Sequence, residues 1–300
     1  GYFVNYFIAS EGDETWLNQT GWRWMFASET IPAGIFLLLL LFVPDTPRSL
    51  VLKSKPEKAL EVLTRINGSN RANLILKEIQ GTVVHHSGKL FSFGFTVILI
   101  GILLSVFQQF VGINVVLYYA PEIFKSMGAN TDIALLQTII VGSVNLIFTV
   151  LAIMTVDRFG RKPLMIVGAL GMGISMFALG FSFFSSAIGI FALICMLFYV
   201  ASFAMSWGPV TWVLLSEIFP NRIRGRAMAL AVAAQWISNY LVSWTFPMMD
   251  KNSFLIEKFN HGFAYWLYGV MAILPMLIIW KFVPATKGKT LEEMEKVWKK

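Results

Sequence analysis

The sequence predicts an all-α integral membrane protein, and three observations support this. Hydrophobic residues occupy 56% of the 300 positions and charged residues only 14%, against roughly 25% charged residues in soluble domains. Seven segments stay apolar over about 20 residues, the length that a helix needs to cross a bilayer. Lys and Arg are concentrated in alternate connecting segments, as in multi-span membrane proteins. Lipid is therefore expected to surround most of the chain.

The first residues are apolar but too few to cross a membrane. Residues 1–9 would form about 13 Å of helix, less than half of a bilayer. Because the next connection, 10–23, is assigned to the outside, we expect them to be the outer end of a span that begins upstream. The sequence is accordingly interpreted as a fragment that lacks its N-terminal helices.

Seven full spans follow, separated by polar connections. The first of them contains Glu29, the only carboxylate clearly inside a span. Tryptophans near several span ends, among them Trp24, Trp244 and Trp266, are typical of the membrane–water interface. The spans are predicted at 24–43, 93–119, 133–156, 164–184, 187–215, 227–249 and 262–282.

The connections fall into two sets by charge. Twenty of the 24 Lys and Arg residues lie in 44–92, 157–163 and 216–226 or in the tail that begins at Lys281. Successive spans place these segments on one membrane face, and the face with basic loops is the cytoplasmic one. This explains the net charge of +7 without nucleic acid. It also predicts a multi-pass membrane protein with a cytoplasmic C-terminus.

A short sequence string that occurs twice indicates how the spans are grouped. The string FVPDT at Phe42–Thr46 ends the first full span, and FVPAT at Phe282–Thr286 ends the last one, six spans later. The spacing fits parallel six-span repeats, although so short a string also recurs by chance. The predicted parts are the end of an N-terminal helical bundle at 1–43 (partial span 1–9, full span 24–43), a cytoplasmic linker with short amphipathic helices at 44–92, a complete C-terminal six-helix bundle at 93–283, and a cytoplasmic tail at 284–300 with a capping-box pattern at Thr290–Glu293.

Uncharged polar side chains cluster in the predicted C-terminal bundle. Amides both donate and accept hydrogen bonds, and an indole face covers the C–H face of a sugar ring, so amides together with tryptophans suit a neutral polyol. Gly112 and Gly208-Pro209 are expected to loosen their helices nearby. The alternative is that the amides only join helices, an interpretation favoured for Asn239. The candidate sugar-binding residues are Gln108, Gln109, Asn114, Tyr118, Asn145, Trp212, Gln235 and Trp236.

A second, charged group lies at the cytoplasmic ends of the spans. Asp157 and Arg161 flank a tight turn, and Glu217 and Arg224 flank the next cytoplasmic connection. Acidic residues contribute little to membrane topology, so Asp157 and Glu217 need another explanation. The four residues are therefore predicted to form a cytoplasmic gate that opens when the helical bundles move. The remaining basic residues of these loops are sufficiently explained by topology.

No enzyme is expected, because the sequence has no metal-ligand spacing, nucleophile elbow or phosphate-binding glycine loop.

Glu29 is a candidate for proton coupling, since ionisable groups in membrane spans often belong to proton pathways. The alternative is an acid near the outer rim that pairs with an arginine. No cofactor or metal is predicted, and the expected partners are a monosaccharide, protons and the lipid bilayer, with the protein acting as a monomer.

Five strings resemble the sugar-porter family of the major facilitator superfamily. They are Pro44–Arg48 (PDTPR), Gln108–Asn114 (QQFVGIN) with Tyr118-Tyr119, Asp157–Arg161 (DRFGR), Glu217 and Arg224 with six residues between them, and Pro284–Lys289 (PATKGK). Within the family the chain most resembles bacterial proton-linked pentose symporters, through Val4–Ala9, Asp132–Gln137 and Ser243–Asp250. The sequence departs from the family pattern at Ser49 and Ala285, where Trp and Glu are usual.

The resemblance implies a fold of twelve helices in two bundles, of which this chain would lack about the first four and a half. It implies that the eight candidate residues contact sugar and that the gate residues form the cytoplasmic latch. It places the main proton-accepting Asp and its Arg partner in the missing helices, with Glu29 as an assisting acid.

The expected function is import of a monosaccharide, D-xylose in the first place, coupled to protons by alternating access. The nearest alternative is a sugar facilitator that moves no protons. A further alternative is a transporter-like sensor, although the tail after Lys281 is short for a signalling domain.

Overall fold

The computed structural model describes residues 2–82, 90–187, 189–220, 222–284 and 286–288, together with Met294 and Trp298. All regular secondary structure within these residues is helical, which confirms the predicted fold class. The chain forms two compact units. The small unit comprises residues 12–89, and the large unit comprises residues 2–11 and those from residue 90 onward.

The small unit begins with a long apolar helix, α2 (Leu17–Leu40), which follows a single helical turn at Glu14–Trp16. Its first turn, Leu17–Gly21, is π-helical. Large side chains such as Phe36 and Leu38 are more than half exposed along it. So many exposed apolar side chains mark a surface that contacts lipid or other helices rather than water.

Three short helices form the rest of the small unit. They are α3 (Pro47–Leu52), α4 (Pro56–Asn67) and α5 (Ser69–Thr82). They lie in the linker in which short amphipathic helices were predicted, and Leu50, Val51 and Ala59 form a buried cluster against Val62, Leu76 and Ile79. Thr46 caps α3 by accepting a hydrogen bond from the Ser49 amide, at 3.3 Å. His85, His86, Ala285, Lys289 and the capping box at Thr290–Glu293 lie outside the described residues.

The large unit is a helical bundle. The first helix, α1 (Tyr2–Ala9), belongs to it and packs against the span that contains Gly142, because the Tyr2 ring covers that glycine. The other helices of the unit are α6 (Phe95–Phe110), α7 (Ile113–Tyr118), α8 (Ala120–Ser126), α9 (Thr131–Phe159), α10 (Arg161–Phe184), α11 (Ile190–Met205), α12 (Trp207–Ile218), α13 (Arg224–Asp250), α14 (Ser253–Phe259) and α15 (Phe263–Phe282).

Six helical stretches among the described residues are long and apolar enough to cross a bilayer, and they confirm six of the seven predicted spans. They are Leu17–Leu40, Phe95–Tyr118, Thr131–Phe159, Arg161–Phe184, Ile190–Ile218 and Phe263–Phe282. The seventh prediction, 227–249, corresponds to α13. This helix has 27 residues, about 40 Å of helix. It is not among the apolar six because polar residues, including Gln235, Ser238 and Asn239 on its buried face, lower its mean hydropathy.

Two of the spans are interrupted. The first break separates α6 from α7 at Gly112, which adopts the left-handed conformation with φ +87°. The second separates α11 from α12 at Ser206, with φ −135° and ψ −86°. It lies two residues ahead of the predicted Gly208-Pro209, because Pro209 fits into the first turn of α12, where its missing N–H costs nothing. Each break exposes backbone groups in the middle of the bundle.

Glycines allow the closest helix contacts in the large unit. A Cβ on Gly262, at the start of α15, would lie 2.5 Å from the backbone oxygen of Gly180 in α10. A Cβ on Gly180 would in turn approach the Gly262 oxygen to 3.0 Å. Small residues at such crossings allow the backbones of spanning helices to touch. The two helices are thereby held together near one end of the bundle.

Candidate functional site

The middle of the large unit contains a buried amide on α6. Gln108, only 3% exposed, donates from Nε2 to the Trp207 oxygen at 2.9 Å and to the Gly208 oxygen at 3.2 Å. Both oxygens belong to the first turn of α12, directly after the break at Ser206. The sequence places Gln108 here because residues 105, 108 and 109 share the inward face of a helix of 3.6 residues per turn.

A second set of amides connects three helices. Asn114, at the start of α7, donates from Nδ2 to Gln109 Oε1 at 2.5 Å and to Asn239 Oδ1 of α13 at 2.9 Å. Ser243, one turn further along α13, donates to the same Asn239 oxygen at 3.3 Å. Asn239 therefore joins helices, as the alternative interpretation expected, and does so within the predicted amide group.

Several buried polar atoms near these amides lack a partner among the described residues. They include Gln108 Oε1, Gln235 Oε1 and Ser105 Oγ. A buried amide oxygen without a donor costs about 1–3 kcal/mol, so such atoms are rarely left unpaired without a reason. Two acceptors and one hydroxyl in this region can bind a ligand that carries several hydroxyl groups. Ser105 was not predicted, although its position three residues before Gln108 indicates the same helix face.

Two tyrosines brace the break at Gly112. The hydroxyl of Tyr199, which is fully buried, donates to the Val111 oxygen at 2.7 Å. The ring of Tyr268 packs against Gly112 so closely that a Cβ there would meet the ring at 2.7 Å. Sequence reasoning missed both residues, because neither lies in a polar cluster.

The predicted aromatic residues are placed differently from the amides. Trp212, Trp236 and Tyr118 are 41%, 62% and 57% exposed on the large unit. Asn145, on α9, is half-buried. The structure thus brings Gln109 and Asn114 into one hydrogen-bonded group with Asn239 and places Gln108 and Gln235 in the same buried interior, while it leaves the indoles and the Tyr118 phenol accessible.

Two cavities of the large unit lie away from the predicted sugar contacts. The larger, about 540 Å³, is mostly apolar and is lined by residues of α13, α14 and α15 such as Leu241, Met248 and Met271. The smaller, about 420 Å³, has aromatic and charged walls that include Tyr119, Glu122 and Asp250. None of the eight predicted sugar-contact residues lines either cavity.

Arg161 is the centre of the charged group at the opposite end of the unit. Its guanidinium contacts Glu217 Oε1 at 2.7 Å and Asp157 Oδ1 at 2.8 Å. The Arg161 and Glu217 side chains are 14% and 23% exposed, whereas Asp157 is 83% exposed. Three of the four predicted gate residues are therefore in contact. The fourth, Arg224, donates to the Phe219 oxygen at 3.2 Å from both Nε and a terminal nitrogen.

Lys162 and the tail reinforce this end. Lys162 Nζ donates to the oxygens of Trp280 and Val283, at 2.8 and 2.9 Å, and so caps α15. Trp298 donates from its indole to the Ile218 oxygen, at 3.0 Å. Ile218 directly follows Glu217, so the tail contacts the helix end that carries the ion pair.

Glu29 lies in the small unit, at the junction between the segments Trp22–Ser28 and Thr30–Leu40 of α2. It is exposed on that unit. Its position within a helix apolar enough to cross a bilayer agrees with the prediction of an acid inside a span.

Comparison with known proteins gives a consistent set of relatives. A family model described as sugar (and other) transporter matches residues 1–298. The D-xylose-proton symporter of Escherichia coli K12 is 65% identical over 300 residues, which cover 99% of this chain and 61% of that protein. The glucose facilitated diffusion protein of Zymomonas mobilis is 46% identical, covering 100% of this chain and 64% of that protein. The arabinose-proton symporter of Bacillus subtilis is 41% identical, covering 99% and 64%.

Solved structures agree with these relatives. The proton:xylose symporter bound to 6-bromo-6-deoxy-D-glucose superposes with a TM-score of 0.85 and 65% identity, over 99% of this chain and 63% of that one. An inward-open xylose transporter from E. coli superposes with a TM-score of 0.82 and 61% identity, over 99% and 61%. The chain spans about three fifths of the length of the curated relatives it matches.

Proposed function

The chain belongs to the sugar (and other) transporter family of the major facilitator superfamily, whose members are transporters rather than enzymes, and on this premise we propose that it acts in the import of a monosaccharide by alternating access. D-xylose is the first candidate substrate, and protons are the coupling ion. The proposed sugar site lies on the membrane-embedded part of the large unit. We place the protein in a bacterial inner membrane, with its C-terminus in the cytoplasm. A single chain carries the amide group, so we expect a monomer.

The unpaired, uncharged amides carry this proposal. Gln108 and Gln235 each bury a side-chain oxygen that has no partner among the described residues. A neutral polyol supplies hydroxyl donors to such acceptors and needs no counter-charge, which agrees with the absence of charged side chains from the set of candidate residues. The relatives named for xylose, arabinose and glucose all have a neutral sugar as their substrate.

The exposed indoles supply the second part of the site. Trp212 and Trp236 present large apolar faces at the surface of the large unit. A sugar that is hydrogen-bonded to the amides has C–H faces left over, and an indole face covers them. We expect closure of the site to bring Trp212, Trp236 and Tyr118 against the sugar.

The ion pairs of Arg161 are assigned to the cytoplasmic gate. Alternating access in this class of fold proceeds by rocking of one helical bundle against the other around a central site. Arg161 joins the start of α10 to the ends of α9 and α12. Movement of any one of these helix ends therefore stretches or breaks the ion pairs of Arg161. Arg224 supports the same end through the Phe219 oxygen.

We assign Glu29 to proton coupling, as an acid that assists the main proton-accepting residue.

A facilitator is the second candidate function, because the 46%-identical relative is a facilitated diffusion protein. The two are separated by adding xylose to lightly buffered, energy-depleted cells that express the complete gene product. Symport predicts alkalinisation of the medium as xylose enters, whereas uptake without a pH change would leave facilitated diffusion as the function.

The amide site is tested by uptake of labelled D-xylose in a strain without other xylose transporters. We expect Gln108→Ala and Trp212→Ala each to lower uptake about tenfold, the effect of losing about 1.4 kcal/mol of binding. Gln80→Ala, which removes an exposed amide from α5, is the matched control and should transport normally. Normal uptake by both site variants would show that the site is elsewhere. Binding of xylose by the parent without any accumulation would instead identify a sensor.

A further inference from the structure

The smaller cavity of the large unit lies at the end opposite to Arg161. One wall is formed by the end of α13, including Phe246 and Asp250, which is about 40 Å of helix away from Arg224 at the start of α13. The second wall is Tyr119 and α8, and the third is Tyr265 near the start of α15. The volume is about 420 Å³.

Aromatic rings form the inner part of this cavity. The rings of Tyr119 and Phe246 are 5.3 Å apart between centroids, and those of Phe246 and Tyr265 are 6.5 Å apart. Tyr265 also stacks on Phe183, with centroids 4.8 Å apart. Since Phe246 and Tyr265 are buried to 4% and 2% exposure, packing fixes this aromatic surface in place.

The charged side chains that line the cavity comprise two acids and two bases. Glu122 and Asp250 are the acids, and Lys125 and Lys251 are the bases. Asp250 uses one oxygen to contact the His261 ring at 2.9 Å, and Glu122 contacts Lys125 at only 3.8 Å. Because the formal charges of these four residues cancel, the cavity offers donors and acceptors without favouring an anion or a cation.

Ser243 connects this cavity to the amide group. Its hydroxyl donates to Asn239 Oδ1 at 3.3 Å, and its backbone oxygen accepts from the Tyr119 hydroxyl at 3.1 Å. Phe246 follows Asn239 by seven residues on α13, about 10 Å along the helix axis. The cavity and the amides therefore lie in sequence along the same helix, joined by direct hydrogen bonds.

We propose that this cavity is a second monosaccharide subsite, which holds a neutral sugar at the outer end of the protein before the sugar reaches the amides. The half-buried Tyr119 ring, which packs against Phe246, covers the C–H face of the sugar. The carboxylates accept hydrogen bonds from its hydroxyl groups, and the lysines donate to them. This inference rests on the proposed function and adds a residue set that does not overlap the predicted sugar contacts.

The test is saturation-transfer NMR with D-xylose on the purified complete gene product. The double variant Gln108→Ala/Gln235→Ala removes the amide site and should retain a weaker signal from the outer subsite. Adding Glu122→Ala and Lys251→Ala, both at exposed positions, should lower that remaining signal about fivefold through the loss of two hydrogen-bonding groups. Adding Lys258→Ala instead, on the neighbouring α14 and outside the cavity, is the matched control and should leave it unchanged.

The outcomes separate the subsite from the proposed function. If the parent binds xylose but the double variant gives no signal, the outer subsite is refuted and the transport function stands. If the quadruple variant keeps the full signal of the double variant, the cavity is likewise not the site. If the parent itself gives no signal, both the subsite and the proposed function are overturned.

Discussion

Gly112 shows how one residue determines the shape of a spanning segment. It separates α6 from α7 with φ +87° and lies directly beneath the Tyr268 ring. A left-handed residue is unfavourable for any side chain with a Cβ, by roughly 1–2 kcal/mol. The break is therefore specified twice, by backbone conformation and by the absence of space. It is also what brings Asn114 back towards Gln109, since the two amides are separated by the turn.

We expect Gly112→Ala to destabilise the protein and to weaken sugar binding. The added methyl group both strains the backbone and meets the ring of Tyr268 at 2.7 Å. Gly128→Ala is the matched control, because Gly128 has a similar φ of +91° but open space around it. Thermal unfolding in detergent should give a lower midpoint for Gly112→Ala than for Gly128→Ala. Equal midpoints would mean that Tyr268 does not restrict this position.

Arg161 and its two acids are expected to contribute unequally. Glu217 is mostly buried and already has one oxygen without a partner among the described residues, so losing its cation leaves a poorly solvated charge. Asp157 is 83% exposed, and exposed pairs contribute about 0–1 kcal/mol.

We therefore expect Arg161→Gln to lower the unfolding midpoint far more than Asp157→Asn does. Combining Arg161→Gln with Glu217→Gln should recover part of the loss, since it removes the unpaired charge. A double variant that is less stable than Arg161→Gln alone would contradict this assignment.

The sequence predicts which amide side chains lie inside the bundle, but it does not predict which way each side chain points or which group it contacts. Uncharged amides in apolar spans are costly unless paired, so the inward placement of Gln108 and Gln109 follows from the sequence. Gln235 and Trp236 were predicted to contact the same sugar, yet consecutive residues on a helix point about 100° apart, and only Gln235 is buried. The hydrogen bond of Gln108 to α12 depends on where a second helix breaks, which periodicity does not reveal.

The helices themselves follow from hydropathy with one instructive exception. Six spans stand out because lipid-facing helices must be apolar almost all round. The seventh, α13, is more polar because one of its faces carries Gln235, Ser238 and Asn239 into the interior. Its predicted boundaries, 227–249, were nevertheless close to the observed Arg224–Asp250. The helix that carries Gln235, Ser238 and Asn239 is thus the one for which hydropathy gives the weakest signal.

The packing of α10 against α15 depends on backbone contact, and we expect Gly262→Ala to disrupt it. The new methyl group would lie 2.5 Å from the Gly180 oxygen, an atom of a helix backbone that cannot rotate away. Gly225→Ala, in the first turn of α13 with nothing within 4 Å, is the control and should be neutral or slightly stabilising. Unfolding midpoints measured in detergent decide the matter, and an equally stable Gly262→Ala would show that α15 can shift away from α10.

At the scale of the whole molecule, the surface of each unit is suited to lipid. Large apolar side chains such as Phe36, Ile153 and Phe181 are more than half exposed, an arrangement that soluble proteins avoid. In the described part of the large unit, the charged residues instead occupy the ends of the spanning helices, the short helices and the connections. In the large unit Arg158 and Arg222 lie at the end that contains the Arg161 ion pairs, and Ser126 and Lys251 lie at the other end, beside the polar cavity.

This distribution predicts which end of the large unit faces the cytoplasm. The basic loops at Arg158 and Arg222 should be cytoplasmic, because positively charged loops are retained on that side. Cys195 is buried and is the only cysteine, so a Cys195→Ser background allows single reporters. A membrane-impermeant maleimide added to intact cells should label Ser126→Cys and Lys251→Cys but label Arg158→Cys and Arg222→Cys only after the membrane is permeabilised. The reverse pattern would place the polar cavity on the cytoplasmic side, where it would act on sugar leaving the amides rather than on sugar arriving.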